Sequence, residues 1–340
     1  MLQPSSVSLE VTGRCNQECL YCYNRDRGSD RTACDMDTES ILEVVDLIAR
    51  EPIRQITLTG GEPLLRQDIL MVIDRIASRG LRIGVVTNAI AADPKLASEL
   101  ASRGISYAQV TFLGHDAGSH DRIAGHGSFA ARHAGVRSLL AAGVPVGGAF
   151  ICTRLNHQVA AATLEAMWSW GIREHMCFMR LCSAGHAARS AVALAPSMEE
   201  LVEALTQADR FAARHQIHVH NKIPIPPCIV RAKDFPNIVF SLCGAGVEGG
   251  ECFVDQRGAV RLCGPHKLEL GNLRQAALAD LLDSGMVLDW KKNCATDCAP
   301  CHLHDSCRGG CPAAEDDPLQ EQFWPARIAE YERELQTKLL

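Results

Sequence analysis

The chain has 340 residues, 47% of them hydrophobic, which is enough for about two domains and a sizeable core. Its 34 Lys and Arg residues against 40 Asp and Glu residues give a net charge of −6, and this balance argues against a nucleic-acid partner. No apolar run approaches the ~18 residues that span a bilayer, and the first six residues carry no export signal, which predicts a cytoplasmic protein with no membrane partner.

Strands and helices are predicted to alternate from the N-terminus to about residue 216. Alternating apolar residues predict strands at 7–11, 55–59, 82–87, 107–113, 145–152 and 175–181. Helical periodicity with suitable capping residues predicts helices at 37–50, 67–79, 94–103, 129–142, 159–170 and 197–215. This alternation indicates a parallel sheet, and six units are too few for a closed eight-stranded barrel. We therefore predict an α/β fold, an open partial (βα)6 TIM-like barrel, over residues 1–216.

The alternation ends near residue 217. Residues 217–242 contain a short predicted strand at 218–220 and a proline-rich segment, and we predict that they form a linker. Residues 243–324 are rich in Gly and Cys, with one predicted helix at 273–282, and are expected to form a small C-terminal domain. A charged C-terminal helix is predicted for residues 325–340.

The sixteen cysteines are distributed unevenly along the chain. Three lie between residues 15 and 22, eight lie between Cys243 and Cys311, and five lie between these groups. Disulfide scaffolds are typically short secreted chains without a large core, whereas this chain is long, apolar and without a visible signal peptide. The distribution therefore predicts two metal-binding regions separated by a body with few cysteines.

The first group, Cys15, Cys19 and Cys22, directly follows the first predicted strand. Parallel α/β sheets carry their chemistry at the C-terminal ends of strands, so this loop is placed where a site is expected. Three thiolates on one loop can hold three irons of a cubane cluster and leave the fourth iron open to a ligand. The alternative is a zinc site, whose usual pattern is two C-x2-C pairs that supply four ligands.

A Gly-Gly-Glu-Pro turn follows the second predicted strand. Its glycines allow a close approach of the backbone to a ligand, and its exposed polar groups suit an α-ammonium group. The C-x3-C-x2-C motif with Tyr21 before its last Cys, combined with this turn, resembles the radical SAM superfamily, which uses S-adenosylmethionine (SAM). The resemblance implies that Cys15, Cys19 and Cys22 are the catalytic ligands of a 4Fe–4S cluster, and that Tyr21 packs beside the adenine of SAM. It also implies that the amino group of SAM is bound by Gly60, Gly61, Glu62 and Pro63.

Polar residues at other strand ends extend the resemblance. Thr87 and Asn88, after the third strand, resemble the contact to the ribose and carboxylate of SAM; the alternative is a helix-capping turn. Asn156, after the fifth strand, resembles a polar contact to SAM. Arg180, in the sixth strand segment, resembles the residue that approaches the adenine or the carboxylate.

The C-terminal cysteines form a second pattern. A G-x4-C segment ends at Cys263, and a C-x2-C-x5-C-x3-C segment runs from Cys298 to Cys311. Together they resemble the SPASM extension of radical SAM enzymes, which holds two auxiliary 4Fe–4S clusters. The resemblance assigns the first auxiliary cluster to Cys243, Cys263 and Cys311, with Cys252 as the expected fourth ligand. It assigns the second auxiliary cluster to Cys298, Cys301 and Cys307.

The sequence departs from the SPASM pattern at its end, because no Cys follows Cys311. The fourth ligand of the second auxiliary cluster is therefore open, with Cys294, His302, His304, Asp305 or no residue as the choices. Cys228 is a spare thiol that could compete with Cys252. Taken alone, this region would also fit two structural zinc sites.

The resemblance implies an oxidoreductase or maturase that cleaves SAM reductively to a 5′-deoxyadenosyl radical, which abstracts hydrogen from a substrate. A ribosomally synthesised peptide is the expected substrate; the alternatives are a small molecule (sugar, tetrapyrrole or amino acid) and, as a non-enzyme, a zinc-stabilised binding module. The expected partners are a reductant such as flavodoxin or ferredoxin and, because the first strand begins near Val7, a separate leader-peptide-binding protein.

Overall fold

A computed structural model of the chain describes residues 2–24, 35–292, 298, 301 and 303–313. The strands within these residues join one sheet of eleven strands. Their bounds are Ser6–Thr12 (β1), Gln55–Gly60 (β2), Arg82–Thr87 (β3), Tyr107–Phe112 (β4), Val146–Cys152 (β5), Glu174–Arg180 (β6), Val219–Asn221 (β7), Ile238–Phe240 (β8), Glu251–Val254 (β9), Ala259–Arg261 (β10) and Gly271–Asn272 (β11).

Helices follow most of the strands. Their bounds are Thr38–Ile48 (α1), Ile69–Ser78 (α2), Pro94–Ser102 (α3), Ala117–Ala124 (α4), Ser128–Ala141 (α5), Ala160–Ser169 (α6), His186–Arg189 (α7), Ala191–Leu194 (α8), Met198–His215 (α9), Leu278–Leu282 (α10), Gly285–Lys292 (α11) and His304–Cys307 (α12). Short 3-10 turns lie at Pro63–Leu65, His157–Val159 and Ala232–Asp234.

The sheet order is β11-β10-β9-β1-β2-β3-β4-β5-β6-β7-β8. All neighbours from β9 to β8 are parallel, while β10 pairs antiparallel with both β9 and β11. Because β1 to β6 follow one another in both sequence and space, their C-terminal ends lie along one edge of the sheet. The predicted alternation of six parallel strands with helices is confirmed.

The predicted helices have the capping and apolar faces that the sequence indicated. In α1, Asp37 accepts a hydrogen bond from the backbone N–H of Ser40 (2.8 Å), and the predicted apolar stripe that includes Ile41 and Val45 is buried. The capping box of α9 is present as predicted, because Ser197 and Glu200 each accept the other's backbone N–H. These apolar faces pack into the core that covers the sheet.

One helix of the barrel has no counterpart among the helices predicted from the sequence. The segment after β4 is rich in Gly, His and Asp, which is typical of a loop, yet it forms α4. The side chain of Asp116 accepts a hydrogen bond from the backbone N–H of Ser119 (2.8 Å) and so caps this helix. The inward face of α4 includes His120, which is fully buried.

The sheet continues beyond residue 216 in both directions. Strands β7 and β8 lie in the segment that the sequence predicts to be a linker, and they extend the sheet from β6. Strands β9 to β11 lie in the predicted C-terminal domain, and β9 pairs in parallel with β1. The division at residues 216, 242 and 324 stays a prediction, but the two predicted domains share this sheet.

Several predicted features lie outside the described residues: the helix at 325–340, Cys34, Cys294 and His302. Among the residues that the structure describes, no helix is both long enough and apolar enough to cross a bilayer.

Candidate functional site

The Cys15–Cys22 loop leaves the C-terminal end of β1 and is held by backbone hydrogen bonds on two sides. Leu20 N–H donates to the carbonyl of Ile123 in α4 (3.0 Å), and Ala187 N–H, in α7, donates to the carbonyl of Cys22 (3.2 Å). Within the loop, Cys22 N–H donates to the Cys19 carbonyl (3.2 Å). The loop is therefore fixed by the elements that follow β4 and β6, and not by its thiols alone.

The three predicted cluster ligands differ in exposure. Cys19 is buried, whereas Cys15 and Cys22 are half-buried. Burial raises the pKa of the Cys19 thiol, the nearby Arg132 guanidinium lowers it, and Cys15 raises it. The two charge effects show that Cys15 and Arg132 both lie near Cys19, and a cation beside a buried thiol favours the thiolate that ligates iron.

Tyr21 packs where two small apolar clusters meet. One cluster includes Leu113 and Ile123, and the other includes Leu181 and Leu194. Burial, followed by the charge of Cys19, raises the pKa of Tyr21 well above its ordinary value, so its hydroxyl stays protonated. The predicted contact between Tyr21 and the adenine of SAM stays a prediction.

Arg132, on α5, is a site residue that the sequence reasoning missed. Its side chain is fully buried, and its guanidinium donates to the Gln17 side chain in the cysteine loop and to the carbonyl of Thr111 in β4. Its charge also opposes the effect of burial, which raises the pKa of Tyr21. Arg132 therefore links the cysteine loop to β4. The sequence feature that could have identified Arg132 is its position on the buried face of α5, four residues after Ser128 and four before Val136.

The glycines of the Gly60–Pro63 turn are required by a close contact between backbones. A Cβ at Gly61 would lie 2.1 Å from the carbonyl oxygen of Arg14, and a Cβ at Gly60 would lie 2.4 Å from that of Thr12. Gly61 N–H donates to the Thr12 carbonyl (2.8 Å), and Glu62 N–H donates to the Arg14 carbonyl (2.7 Å). The turn is therefore packed directly against the chain that leads into the cysteine loop.

We expect Gly61→Ala to lower the free energy of unfolding by about 3 kcal/mol, because the new methyl group meets backbone that cannot rotate away. Urea unfolding of the anaerobically purified protein measures this loss. Gly118→Ala is the matched control: a Cβ there approaches nothing closer than the Asp116 carboxylate at 3.5 Å, and alanine favours the helix by about 1 kcal/mol. Equal stability of the two variants would contradict the packing argument.

Glu62 joins the ends of β2 and β3. Its carboxylate is fully buried, and it accepts hydrogen bonds from Leu64 N–H (3.1 Å), the Thr87 hydroxyl (2.6 Å) and Asn88 N–H (2.7 Å). Burial raises the pKa of Glu62, and these three donors oppose that shift. A carboxylate has about four acceptor positions, so this arrangement leaves room for one further donor such as an ammonium group.

Asn88 lies beside the cysteine loop. Its side-chain amide donates to the Asn16 side chain (2.7 Å) and approaches the Cys15 sulfur at 4.0 Å. The structure therefore brings Cys15, the Gly60–Pro63 turn and Asn88 together at the adjoining ends of β1, β2 and β3. The predicted contact of Thr87 and Asn88 with SAM stays a prediction.

Asn156 is fully buried, and its amide is satisfied within the protein. Its oxygen accepts from the N–H and the hydroxyl of Thr153 (2.7 and 2.9 Å), and its NH2 donates to the carbonyls of Leu113 and Ile151 (both 2.9 Å). An Asn side chain has two donor hydrogens and two acceptor positions, so these bonds occupy all of them. Asn156 thus ties the ends of β4 and β5 together, and its predicted contact with SAM stays a prediction.

Arg180, at the end of β6, is buried and donates from Nε to the carbonyl of Pro224 (2.8 Å). This contact directs it toward the segment after β7. Its predicted role beside SAM stays a prediction.

His120 is expected to make the free energy of unfolding depend on pH. Its Nδ1 accepts from Leu113 N–H (3.1 Å), while burial, and then the charge of Arg132, lowers the pKa of His120 to about 3. In the unfolded chain a His side chain takes a proton near pH 6.5, whereas His120 in the folded protein stays neutral. The free energy of unfolding therefore decreases as the pH falls below about 6.5. The expected loss is about 1 kcal/mol between pH 7 and 5.5.

His120→Asn is the matched variant for this pH effect, because its side-chain oxygen can accept from Leu113 N–H but does not titrate. We expect urea unfolding at pH 7 and 5.5 to give a smaller loss for the variant than for the parent. Identical pH dependence of the two proteins would mean that His120 does not titrate as described.

The C-terminal cysteines contact one another at several places. Cys263 and Cys182 pack against Cys311, and the charge of Cys311 acts on Cys243. Cys301 N–H donates to the Cys298 carbonyl (2.9 Å) in one turn, and Cys307 ends the short helix α12.

Cys252, the expected fourth ligand of the first auxiliary cluster, belongs to the main hydrophobic core. It is on β9 opposite Val7, and only 1% of it is exposed. Burial raises the pKa of its thiol to about 12. The structure therefore places Cys252 in the hydrophobic core between β9 and the helices, and its role as a cluster ligand stays a prediction.

The donor set at the cysteine loop suits the cofactor that the motif implies. Each of three thiolates in a cubane cluster binds a different iron, and the fourth iron stays open to a further ligand. Three thiols on one anchored loop, with Arg132 beside the buried one, fit a 4Fe–4S cluster with one open iron.

Comparison with known sequences places this site in a family. Residues 9–159 match the radical SAM superfamily. The PqqA peptide cyclase of Bradyrhizobium diazoefficiens is 32% identical over 123 residues, 36% of this chain and 32% of that protein. The mycofactocin maturase MftC of Mycolicibacterium smegmatis is 24% identical over 97% of this chain and 86% of that protein. The alignments to the first three relatives, all PqqA peptide cyclases, span 32%, 46% and 53% of their lengths.

Solved structures share the fold. The structure of anSMEcpe with bound AdoMet superposes with a TM-score of 0.69 and 16% identity, covering 99% of each chain. Streptococcus suis SuiB bound to its precursor peptide SuiA gives a TM-score of 0.73 and 12% identity, covering 96% of this chain and 76% of SuiB. The predicted α/β partial barrel is thereby confirmed.

The cysteine loop leaves the end of the first strand of a parallel, partial α/β barrel. Residues 9–159 of this chain form a radical SAM domain. The prediction made from the Cys15–Cys22 loop and the Gly60–Pro63 turn is thus confirmed, while the individual ligand assignments stay predictions.

Proposed function

We propose that this protein cleaves SAM reductively and directs the resulting radical to a ribosomally synthesised peptide. The observation that carries the proposal is the Cys15–Cys22 loop, anchored at the end of β1 beside Asn88 and the Gly60–Pro63 turn, in a chain with a radical SAM domain. The alternative of a zinc-stabilised binding module lacks support from this loop, which offers three thiols for a cluster.

In this proposal Cys15, Cys19 and Cys22 would hold a 4Fe–4S cluster and leave one iron open for SAM. The cluster would supply the electron for the reductive cleavage of SAM. Arg132 favours the thiolate of Cys19. Ile123 and Leu113, which pack with Cys19, exclude water from the buried side of the loop.

The residues at the ends of β2 and β3 provide the proposed binding site for the methionine part of SAM. Glu62 is held by three donors and retains one acceptor position for the ammonium group. Asn88 stands between this carboxylate and Cys15. Both groups are fixed before SAM arrives, which lowers the entropy that binding must remove.

A peptide substrate is supported by the proteins that this chain resembles. They include PqqA peptide cyclases and the mycofactocin maturase MftC, and SuiB was solved with its precursor peptide. We further propose two auxiliary 4Fe–4S clusters at the C-terminal cysteines, a reductant such as flavodoxin or ferredoxin, and a separate leader-peptide-binding protein. A small-molecule substrate is the competing outcome.

The first experiment measures metal content and SAM cleavage. Protein purified without oxygen is expected to be brown, to contain iron and sulfide with little zinc, and to form 5′-deoxyadenosine and methionine when SAM and dithionite are added. A colourless zinc protein that leaves SAM intact would overturn the proposal in favour of the binding module.

A second experiment tests the substrate class. Short peptides encoded beside this gene are incubated with the enzyme, SAM and reductant, and both the peptide mass and 5′-deoxyadenosine are followed. We expect a peptide mass change that depends on SAM and is accompanied by faster 5′-deoxyadenosine formation. Stimulation by a sugar, tetrapyrrole or amino acid, with the peptides unchanged, would assign the small-molecule alternative.

A further inference from the structure

A thiol outside the C-terminal cysteine pattern reaches the C-terminal cysteines. Cys182 lies two residues after the end of β6, and its side chain packs against the small buried cluster formed by Cys311 and Ala313. Cys263, just after β10, packs against Cys311 and is close enough for its charge to act on Cys182. Three thiols from distant parts of the sequence therefore converge.

The segment after β7 holds this convergence in place. Arg180, two residues before Cys182, donates to the carbonyl of Pro224 (2.8 Å). Gly310, next to Cys311, packs so closely on Pro226 that a Cβ would lie 2.8 Å from its ring. The same short segment thus touches the chain on both sides of the Cys182–Cys311 contact.

Cys243 reaches the same place from the end of β8. Arg308, three residues before Cys311, donates to the carbonyls of Cys243 (3.5 Å) and Ala245 (2.9 Å). The charges of both Arg308 and Cys311 act on the Cys243 thiol. The loop that carries Cys243 is therefore tied to the segment that carries Cys311.

Cys252, the fourth ligand expected from the sequence, points elsewhere. Cys252 and Phe253 lie on opposite faces of β9, and it is Phe253 that packs against Gly264, the residue after Cys263. Cys252 instead belongs to the main core. Cys228 packs against the edge of the same core, and the test below compares it directly with Cys182.

We propose that Cys182 is the fourth protein ligand of the first auxiliary cluster, together with Cys243, Cys263 and Cys311. This inference rests on the proposed function, because the auxiliary clusters are part of that proposal. Four thiolates would complete the coordination of a 4Fe–4S cluster, so this site would transfer electrons without binding substrate to iron. It would also link the end of β6 in the barrel to the cysteine-rich segment.

The test uses the full chain with Cys15, Cys19 and Cys22 all changed to Ala, so that the remaining iron belongs to auxiliary sites. In this parent protein, Cys182→Ala is expected to open one iron. Addition of ¹³C-cyanide should then give one more cyanide-bound cluster per chain by electron–nuclear double resonance. Iron release to a chelator should become at least about 10-fold faster.

Cys252→Ala and Cys228→Ala in the same parent are the matched controls, since each also removes one thiol, and both are expected to behave like the parent. Cys182→Ser supplies an oxygen ligand in place of sulfur, so it should shift the electron-spin resonance of the cluster without the added cyanide binding. This variant also separates loss of a ligand from misfolding. The proposal is overturned if Cys182→Ala matches the parent, or if either control gives the open iron.

The two proposals fail in different ways. A parent protein without iron and sulfide would overturn the Cys182 assignment, while 5′-deoxyadenosine from the unmutated enzyme would still support radical SAM chemistry. If the unmutated enzyme made no 5′-deoxyadenosine but Cys182→Ala still opened an iron, the ligand assignment would stand and the activity would be wrong.

Discussion

Changing Cys15, Cys19 and Cys22 together to Ala is expected to reduce 5′-deoxyadenosine formation from SAM to the rate without enzyme. The variant should also lose about four irons per chain, the content of one 4Fe–4S cluster. No other residue in the proposed mechanism can hold the iron that binds SAM. The measurements are liquid chromatography of the nucleoside product and iron and sulfide analysis of protein purified without oxygen.

The fold should survive this change, which makes the result informative. Leu20 and Cys22 anchor the loop through backbone groups that the substitutions keep. The Cys19 thiol also contacts the Ala124 carbonyl at 3.4 Å, and this contact is lost. Cys177→Ala, a buried thiol on β6, is the matched control and should keep full product formation. Product from the triple variant at the unmutated rate would refute the cluster assignment.

The barrel half of the fold could be predicted because its signals are local. Strands β1 to β6 and their main helices show clear apolar periodicity, and their ends carry caps such as Ser197 with Glu200. The cysteine loop and the Gly60–Pro63 turn could be predicted for the same reason, since each motif lies within a few consecutive residues.

Features that depend on distant pairing could not be predicted in this way. Strand β9 has only four residues, Glu251–Val254, and its place beside β1 depends on a partner more than 240 positions away. The same holds for the contact between Cys182 and Cys311, which joins the end of β6 to the cysteine-rich segment. A motif read from spacing alone could not include a thiol that lies outside the motif.

The role of the two glycines also needed the structure. Sequence reasoning gave Gly60 and Gly61 a ligand-binding purpose, but their Cβ positions are blocked by the backbone of Thr12 and Arg14. The turn thus fixes where the cysteine loop starts, and the candidate site is built by packing β1 and β2 ends together. A motif of this kind can therefore position a cofactor site through backbone packing, while the predicted contact of its glycines with SAM stays a prediction.

Arg132→Met is expected to lower SAM cleavage by about 10- to 100-fold, the usual cost of losing a group that orients metal ligands. The change removes the donors to Gln17 in the cysteine loop and to the Thr111 carbonyl, both of which are partly buried. It also removes the cation that lowers the pKa of Cys19. Stability should fall by about 3 kcal/mol because partly buried acceptors lose their partner. Product formation, iron content and urea unfolding together measure these effects.

Two further variants separate positioning from general stability. Arg132→Lys keeps the positive charge near Cys19 but loses the guanidinium fork that spans Gln17 and Thr111, so iron content should recover more than stability does. Arg137→Met, on the same helix α5, removes an Arg that has no place in the site and should leave SAM cleavage unchanged. If Arg132→Met loses only stability, and keeps full iron and turnover per folded chain, then Arg132 is a structural residue and the thiolate of Cys19 forms without its help.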